Sequence, residues 1–243
     1  MRCTVAFVTF FVTLSAFAQE PPKPHERPTA SLLFRSILGL PTGNAPRPTA
    51  PVSAVMRAAE MPAAKAYLLR GFYGVFSTGM DDVARELQKE GIPSRVELHT
   101  AHDAMARTII EEHRGSARPP LIIVVGHSYG ADDAVLLTRK LHDANVPVAL
   151  LATVDPVAPH KVASNVNSVL NIYKSKKVLA FIPAWRGVAL ESEIDLGEDL
   201  RNIDIRDHPG LDGPQVTHSS IDDQPQIQQA ILETIRKTVR PER

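Results

Sequence analysis

The segment Pro120-Leu121-Ile122-Ile123-Val124-Val125-Gly126-His127-Ser128-Tyr129-Gly130 constrains the fold of this chain more than any other. Its aliphatic run is rich in β-branched side chains and has no polar face, so as a strand it must be covered on both sides. Strands buried in this way belong to parallel sheets, whose crossovers are helices. Directly after the run comes Gly-His-Ser-Tyr-Gly, and then residues 131–142 at helical spacing. A strand that becomes a helix within so few residues turns sharply. The apical serine then takes strained backbone angles, and the flanking glycines remove side chains that would collide with neighbouring backbone. Its hydroxyl stands above the sheet edge at a helix N-terminus, where free amides favour negative charge. The plainer alternative is a simple strand-to-helix turn with a capping serine.

The alternation continues along the chain. Residues 66–69 read as a short strand ending in the loop Arg70-Gly71-Phe72-Tyr73-Gly74. Residues 77–89 have helical spacing through Met80, Val83, Ala84 and Leu87, with Gly91 as the C-cap. Residues 94–98 read as a strand and 101–113 as a helix. Residues 147–154 form a second buried run, 167–173 and 201–206 are weaker strands, and 225–239 form a terminal helix. The predicted class is α/β, with about six mostly parallel strands, right-handed crossovers and helices on both faces.

Residues 1–18 carry a different pattern. Arg2 precedes an apolar core from Val5 to Leu14, and Ala16-Phe17-Ala18 has the A-x-A form of a cleavage site. This pattern predicts a secretory signal peptide cut after Ala18, and export to the periplasm or beyond the cell. The apolar run is too short for a membrane-spanning helix, so no transmembrane anchor is expected after cleavage. The chain's single cysteine, Cys3, lies inside this segment, so the mature chain is expected to have no disulfide, cysteine nucleophile or thiolate metal site. Residues 19–62 contain nine of the 20 prolines and read as an extended tether. Within it, residues 31–39 have the apolar face and glycine stop of a short helix, which packs on the body or docks on a partner. The remaining 63–243 form one domain. With 27 basic and 27 acidic residues the chain has no electrostatic footprint for nucleic acid.

At Gly126-His127-Ser128-Tyr129-Gly130 the chain resembles the α/β-hydrolase superfamily, over residues 63–239. Thr153-Val154-Asp155-Pro156-Val157-Ala158-Pro159 is similar to the D-P-x-x-P segment of pancreatic-type lipases, where the aspartate is the triad acid. Leu69-Arg70-Gly71-Phe72 occupies the place of the family's His-Gly oxyanion loop, with Arg70 where many members have histidine. The resemblance implies Ser128 as nucleophile and the backbone amides of Phe72 and Tyr129 as the oxyanion hole. It also implies the chain order serine, acid, histidine.

Asp155 ends a buried strand at the edge where open α/β sheets bind ligands, which favours it as the acid; Glu193 and Asp207 are the alternatives. Asp132 and Asp133 fall on the helix that Ser128 opens, where they suit its first turn. For the base, His218 lies in the loop before the terminal helix, the family's position, whereas His208 sits in an Asp-His-Pro-Gly turn. His142 belongs to the far end of its helix, His160 to a turn, and His127 orients the elbow. No histidine spacing suggests a metal site, and neither metal nor cofactor is expected.

The implied reaction is acyl transfer through a Ser128–His218–Asp155 triad. Export argues against acyl-carrier thioesters, so a small-molecule or lipid oxygen ester is the expected substrate. A peptidase or amidase on the same triad and a non-catalytic hydrolase-like binding protein are the competing classes. Phe72, Tyr73, Val75, Phe76 and Tyr129 either line an apolar acyl pocket or are core at the sheet edge. Residues 174–200, which include Trp185, form either a flap over the site or a structural excursion.

Overall fold

β-Branched and aliphatic runs need cover on both faces, and the computed structural model, which describes residues 63–72, 74, 77–175 and 187–240, supplies it. In chain order the strands are β1 (Ala64–Arg70), β2 (Ser94–Leu98), β3 (Leu121–His127), β4 (Leu150–Val154), β5 (Lys161–Val162), β6 (Val169–Tyr173), β7 (Glu191–Ser192) and β8 (Leu200–Asp204). The helices are α1 (Gly79–Lys89), α2 (His102–Gly115), α3 (Tyr129–Asp143) and α4 (Pro225–Val239). Six strands form one sheet in the order β2-β1-β3-β4-β6-β8, every neighbouring pair parallel. The fold is therefore α/β, as the alternation predicts.

Successive side chains of a strand point to opposite faces, and the core divides accordingly. Ala66 and Leu68 of β1, Ile123 and Val125 of β3, and Leu150 and Ala152 of β4 pack with α1 and α4. Tyr67 and Leu69, Ile122 and Val124, and Leu151 pack on the other face with α2 and α3. Between β4, β6 and β8 runs a polar ladder, buried at Thr153 and Asn171 and exposed at Asn202. Thr153 Oγ1 donates to Asn171 Oδ1 at 2.9 Å, and Asn171 Nδ2 donates to Asn202 Oδ1 and to the Val188 carbonyl, both at 2.8 Å. Asn202 Nδ2 donates in turn to the Leu190 carbonyl at 2.9 Å. Hydrogen-bonded in this way, the ladder fastens segment 187–190 to the sheet.

The differences from the sequence reading lie at element ends and in one small extra strand pair. The strand expected from residue 147 begins at Leu150, because Val148 makes only an isolated bridge to Val166. The last strand stops at Asp204, whose side chain accepts from the Arg206 amide and turns the chain into a 3-10 turn over Ile205–Asp207. The small β5–β7 pair is not anticipated, since two residues carry no periodicity. Residues 1–62, with the expected signal peptide, tether and short helix, lie outside the described residues. So do Tyr73, Val75, Phe76 and 176–186, the last including Trp185.

The strand order reverses between β1 and β3, and their carboxyl ends form the topological switch point where such sheets bind ligands. The elbow fits there only because of its glycines. A Cβ on Gly126 would collide with the Gly130 carbonyl, and one on Gly130 with the Leu69 carbonyl of β1. Both obstacles are backbone. Gly130→Ala should therefore destabilise the fold by about 3 kcal/mol or more, beyond ordinary overpacking of a core. Urea unfolding of the variant beside the wild type measures this.

Candidate active site

Ser128 follows β3 with φ 58° and ψ −126°, backbone angles that an ordinary residue keeps only when its surroundings impose them. Its amide donates to the Val154 carbonyl at 2.9 Å, which ties the elbow to β4. The side chain makes no capping bond to α3, contrary to the plain-turn alternative. Instead Ser128 Oγ lies 2.7 Å from His218 Nε2. His218 Nδ1 lies 2.6 Å from Asp155 Oδ2. A carboxylate only accepts, so Nδ1 carries a proton, and neutral Nε2 is left to accept from the serine hydroxyl.

Asp155 is fully buried and held from several sides. It leaves β4 at φ 49°, and its amide donates to the Ile172 carbonyl of β6 at 2.8 Å. Asp155 Oδ1 accepts from the Lys174 amide at 2.8 Å. The Lys174 ammonium pairs with Asp212 and donates to the Val216 carbonyl at 2.8 Å. One residue thus holds the acid through its backbone and the histidine's loop through its side chain. Gly187 covers the other flank. It has φ 50°, and a Cβ there would collide with Asp155 Oδ1 and the Lys174 carbonyl.

The structure brings together Ser128, His218 and Asp155 and leaves the alternatives elsewhere. Glu193 pairs with Arg139, and Asp207 is exposed in its 3-10 turn. His208 caps that same turn, while His142 bonds Ser164 at the far end of α3. Gly71 presses the loop after β1 against Ser128. A Cβ there would stand 3.0 Å from Ser128 Cβ. Arg70, the departure from the family histidine, pairs with Asp81 of α1. The Phe72 ring is exposed and lies 5.7 Å from the Tyr129 ring and 6.4 Å from that of His99. Among the described residues no group of three or more His, Cys, Asp or Glu could hold a metal ion.

Asp132 lies in the first turn of α3, as its position suggests, and has a second role besides: its Oδ1 accepts from the Val157 and Ala158 amides, each at 3.0 Å. These amides belong to the loop just after Asp155, so Asp132 clamps the acid's own loop. Burial pushes its carboxyl up to about 6, against the two amide hydrogen bonds, which favour the charge. Asp133 bonds His99 Nδ1 at 2.8 Å. The signal for either contact is spatial, between segments that are remote in the chain.

A parallel sheet, an elbow at its switch point and a hydrogen-bonded Ser–His–Asp set in that chain order decide the architecture. The fold is α/β, with an all-parallel six-stranded sheet and the Ser–His–Asp set at its switch point. No family model matches the chain, and no curated protein matches it. Among solved structures it is similar to a putative α/β-superfamily hydrolase from Xanthomonas campestris pv. campestris. Identity is 12%, over 72% of this chain and 99% of that one, with a TM-score of 0.37. A cutinase-like protein from Cryptococcus sp. aligns at 11% identity over 74% of this chain and 97% of its own, TM-score 0.41. A metagenomic carboxyl esterase aligns at 15% identity over 83% and 80%, TM-score 0.37. These are distant likenesses.

The Asp132 clamp makes a signed prediction. Because its carboxyl titrates near 6 when folded and near 3.8 when exposed, the folded chain holds the extra proton between those values. Stability therefore falls as pH rises through that window, and the penalty is complete above it. Asp132→Asn keeps an acceptor for both amides without the buried charge. It should stabilise the protein by about 3 kcal/mol at pH 7, at roughly 1.4 kcal/mol per pKa unit, and lose that advantage below pH 4. Asp132→Ala should destabilise at every pH. Thermal melts across pH 4–8 separate the two.

Proposed function

We propose that this protein is a serine hydrolase that cleaves carboxylic esters through an acyl-enzyme. The observation that carries the reading is the continuous chain from Ser128 Oγ to His218 Nε2 at 2.7 Å and from His218 Nδ1 to Asp155 Oδ2 at 2.6 Å. In this reading His218 takes the serine proton as Ser128 attacks the ester carbonyl. The imidazolium formed is stabilised by the buried Asp155 carboxylate and returns its proton to the leaving alcohol. The Tyr129 and Phe72 amides receive the tetrahedral oxyanion, Tyr129 from the head of α3 and Phe72 from the loop beside Gly71. A water activated by the same histidine then releases the acid.

Small-molecule or lipid oxygen esters are the proposed substrates. The exposed Phe72 ring beside Tyr129 supports an apolar acyl group at this edge. Export to the periplasm or beyond the cell, carried by the pattern of residues 1–18, is part of the same reading. Mass spectrometry of the chain recovered from the exported fraction should show an N-terminus at Gln19.

A fluorophosphonate should label the wild type, and Ser128→Ala should abolish both labelling and ester turnover. Asp155→Asn should remain folded and lose roughly 10⁴-fold in kcat, because the histidine tautomer is no longer set. His218→Ala should be comparably inactive, whereas His208→Ala should retain most turnover. A chain-length series of chromogenic esters beside matched amides reads the acyl preference. Amide turnover exceeding ester turnover would favour a peptidase or amidase on this triad, and an unlabelled Ser128 would sink the catalytic reading.

A further inference from the structure

His127 stands inside the elbow yet takes no part in the Ser128–His218–Asp155 chain. It is buried, and both ring nitrogens meet a partner. Nε2 lies 2.9 Å from the backbone carbonyl oxygen of His218. Nδ1 lies 2.8 Å from Ser77 Oγ. A carbonyl only accepts, so Nε2 carries a proton. Burial, reinforced by the neighbouring His218, holds the ring neutral, its pKa brought down to about 4. Nδ1 therefore keeps its lone pair and accepts from the Ser77 hydroxyl. The serine oxygen is left to accept from the Gly71 amide, which lies 2.9 Å away. Every proton in this series is fixed by the group beside it.

The series begins at the loop that presents the Phe72 amide and ends at the loop that presents the imidazole of His218. It reaches both without passing through Ser128 or Asp155. We propose that Ser77 and His127 are positioning residues that hold the oxyanion loop and the His218 loop in register through this neutral hydrogen-bond chain. The inference rests on the acyl-transfer reading above. It explains why two buried polar side chains occupy a layer that apolar residues would otherwise fill. Ser77 Oγ and Ser128 Cβ both stand close to where a Cβ on Gly71 would be, and Ser77 holds the Gly71 amide, so a small displacement of Ser77 moves the Phe72 amide relative to the reacting carbon.

Asp222, fully buried in the loop after His218, completes the surroundings. Its Oδ1 is 3.2 Å from His127 Nδ1, but neither carboxyl oxygen makes a well-formed hydrogen bond among the described residues. The groups facing the His127 ring are Ser77, His218, Asp155 and Asp222; Asp223 and Asp81 face Asp222. A neutral carboxyl is compatible with a lone pair on Nδ1, whereas a carboxylate would be repelled by it. Burial first, then Asp223, pushes Asp222 up to about 8. Ionising Asp222 sets a negative charge against the Nδ1 lone pair, which loosens the Ser77–His127 bond and should lower kcat at alkaline pH.

Nitrogen-15 NMR of the histidine-labelled wild type tests the proton positions without any substrate. We expect His127 protonated on Nε2 alone from pH 7 down to pH 5; an imidazolium or an Nδ1-protonated ring at pH 7 overturns the proposal. With a chromogenic ester, Ser77→Ala should lower kcat roughly 10–100-fold while KM stays within about twofold, the cost of an amide misplaced by a fraction of an ångström to 1 Å. A folded Ser77→Ala protein with wild-type kcat, or one altered in KM alone, overturns it. His127→Gln retains a donor near the Nε2 position and should recover part of the kcat lost in His127→Leu; equal loss in both overturns it. Asp222→Asn should move the alkaline fall of kcat to higher pH, and an unmoved limb overturns the role of Asp222. If fluorophosphonate fails to label wild-type Ser128, the functional reading fails, while the NMR result still decides the hydrogen-bond chain.

Discussion

Everything at the switch point depends on the backbone of Ser128, which is held in a region that a non-glycine residue leaves unless restrained. Strain of this kind is typically worth about 1–3 kcal/mol, and it persists only where the surroundings over-determine it. Here the restraints are specific. The Ser128 amide is bonded to β4, and Gly126 and Gly130 allow backbone to approach backbone on either side of the turn. The parallel sheet supplies the rigid frame. In return the strained turn lifts the hydroxyl off the helix it would otherwise cap and directs it at a histidine 90 residues away in the chain.

The second constraint is the burial of Asp155, whose carboxyl is entirely removed from solvent. A buried carboxylate is tolerated only when hydrogen-bonded, and its two oxygens are divided between His218 and the Lys174 amide. The loops that complete this arrangement are joined to one another as well as to the sheet. Lys174 grips the loop of His218, Asp132 grips the loop after Asp155, and Asn171 with Asn202 grips the return segment at 188–190. Polar side chains thus do among the loops what aliphatic packing does between sheet and helices. The helices provide burial, which is non-directional, and the loops provide the direction that the Ser128–His218–Asp155 hydrogen bonds require.

Much of this was legible in the chain. Continuous aliphatic runs indicated strands covered on both faces, and the helical spacing of Met80, Val83, Ala84 and Leu87 marked the buried stripe of α1. The Pro225–Val239 helix agrees with its reading at both ends, because proline at its first turn and a strong apolar period leave little freedom. Glycines around Ser128 marked the elbow by mechanics alone. Choosing Asp155 over Glu193, and His218 over His208, needed the family order as well, since a loop histidine in a sequence carries no direction. Three features were not legible. Asp132 read as a helix-start carboxylate, Gly187 as an unremarked loop residue, and Ser77 as the beginning of a helix. Each acts on a partner brought near only by the crossing of chains at the sheet edge.

The sequence by itself determined the layers, the elbow and the residue types available for a Ser–His–Asp set, because periodicity and turn mechanics are local properties of a chain. The tertiary structure decided which of these residues meet. Ser128, Asp155 and His218 come from the ends of different elements, and their distances follow from strand order and register. The proton positions of His127, Ser77 and Gly71 are likewise decided only in the folded state, where burial removes water as an alternative partner and each donor is left with one acceptor.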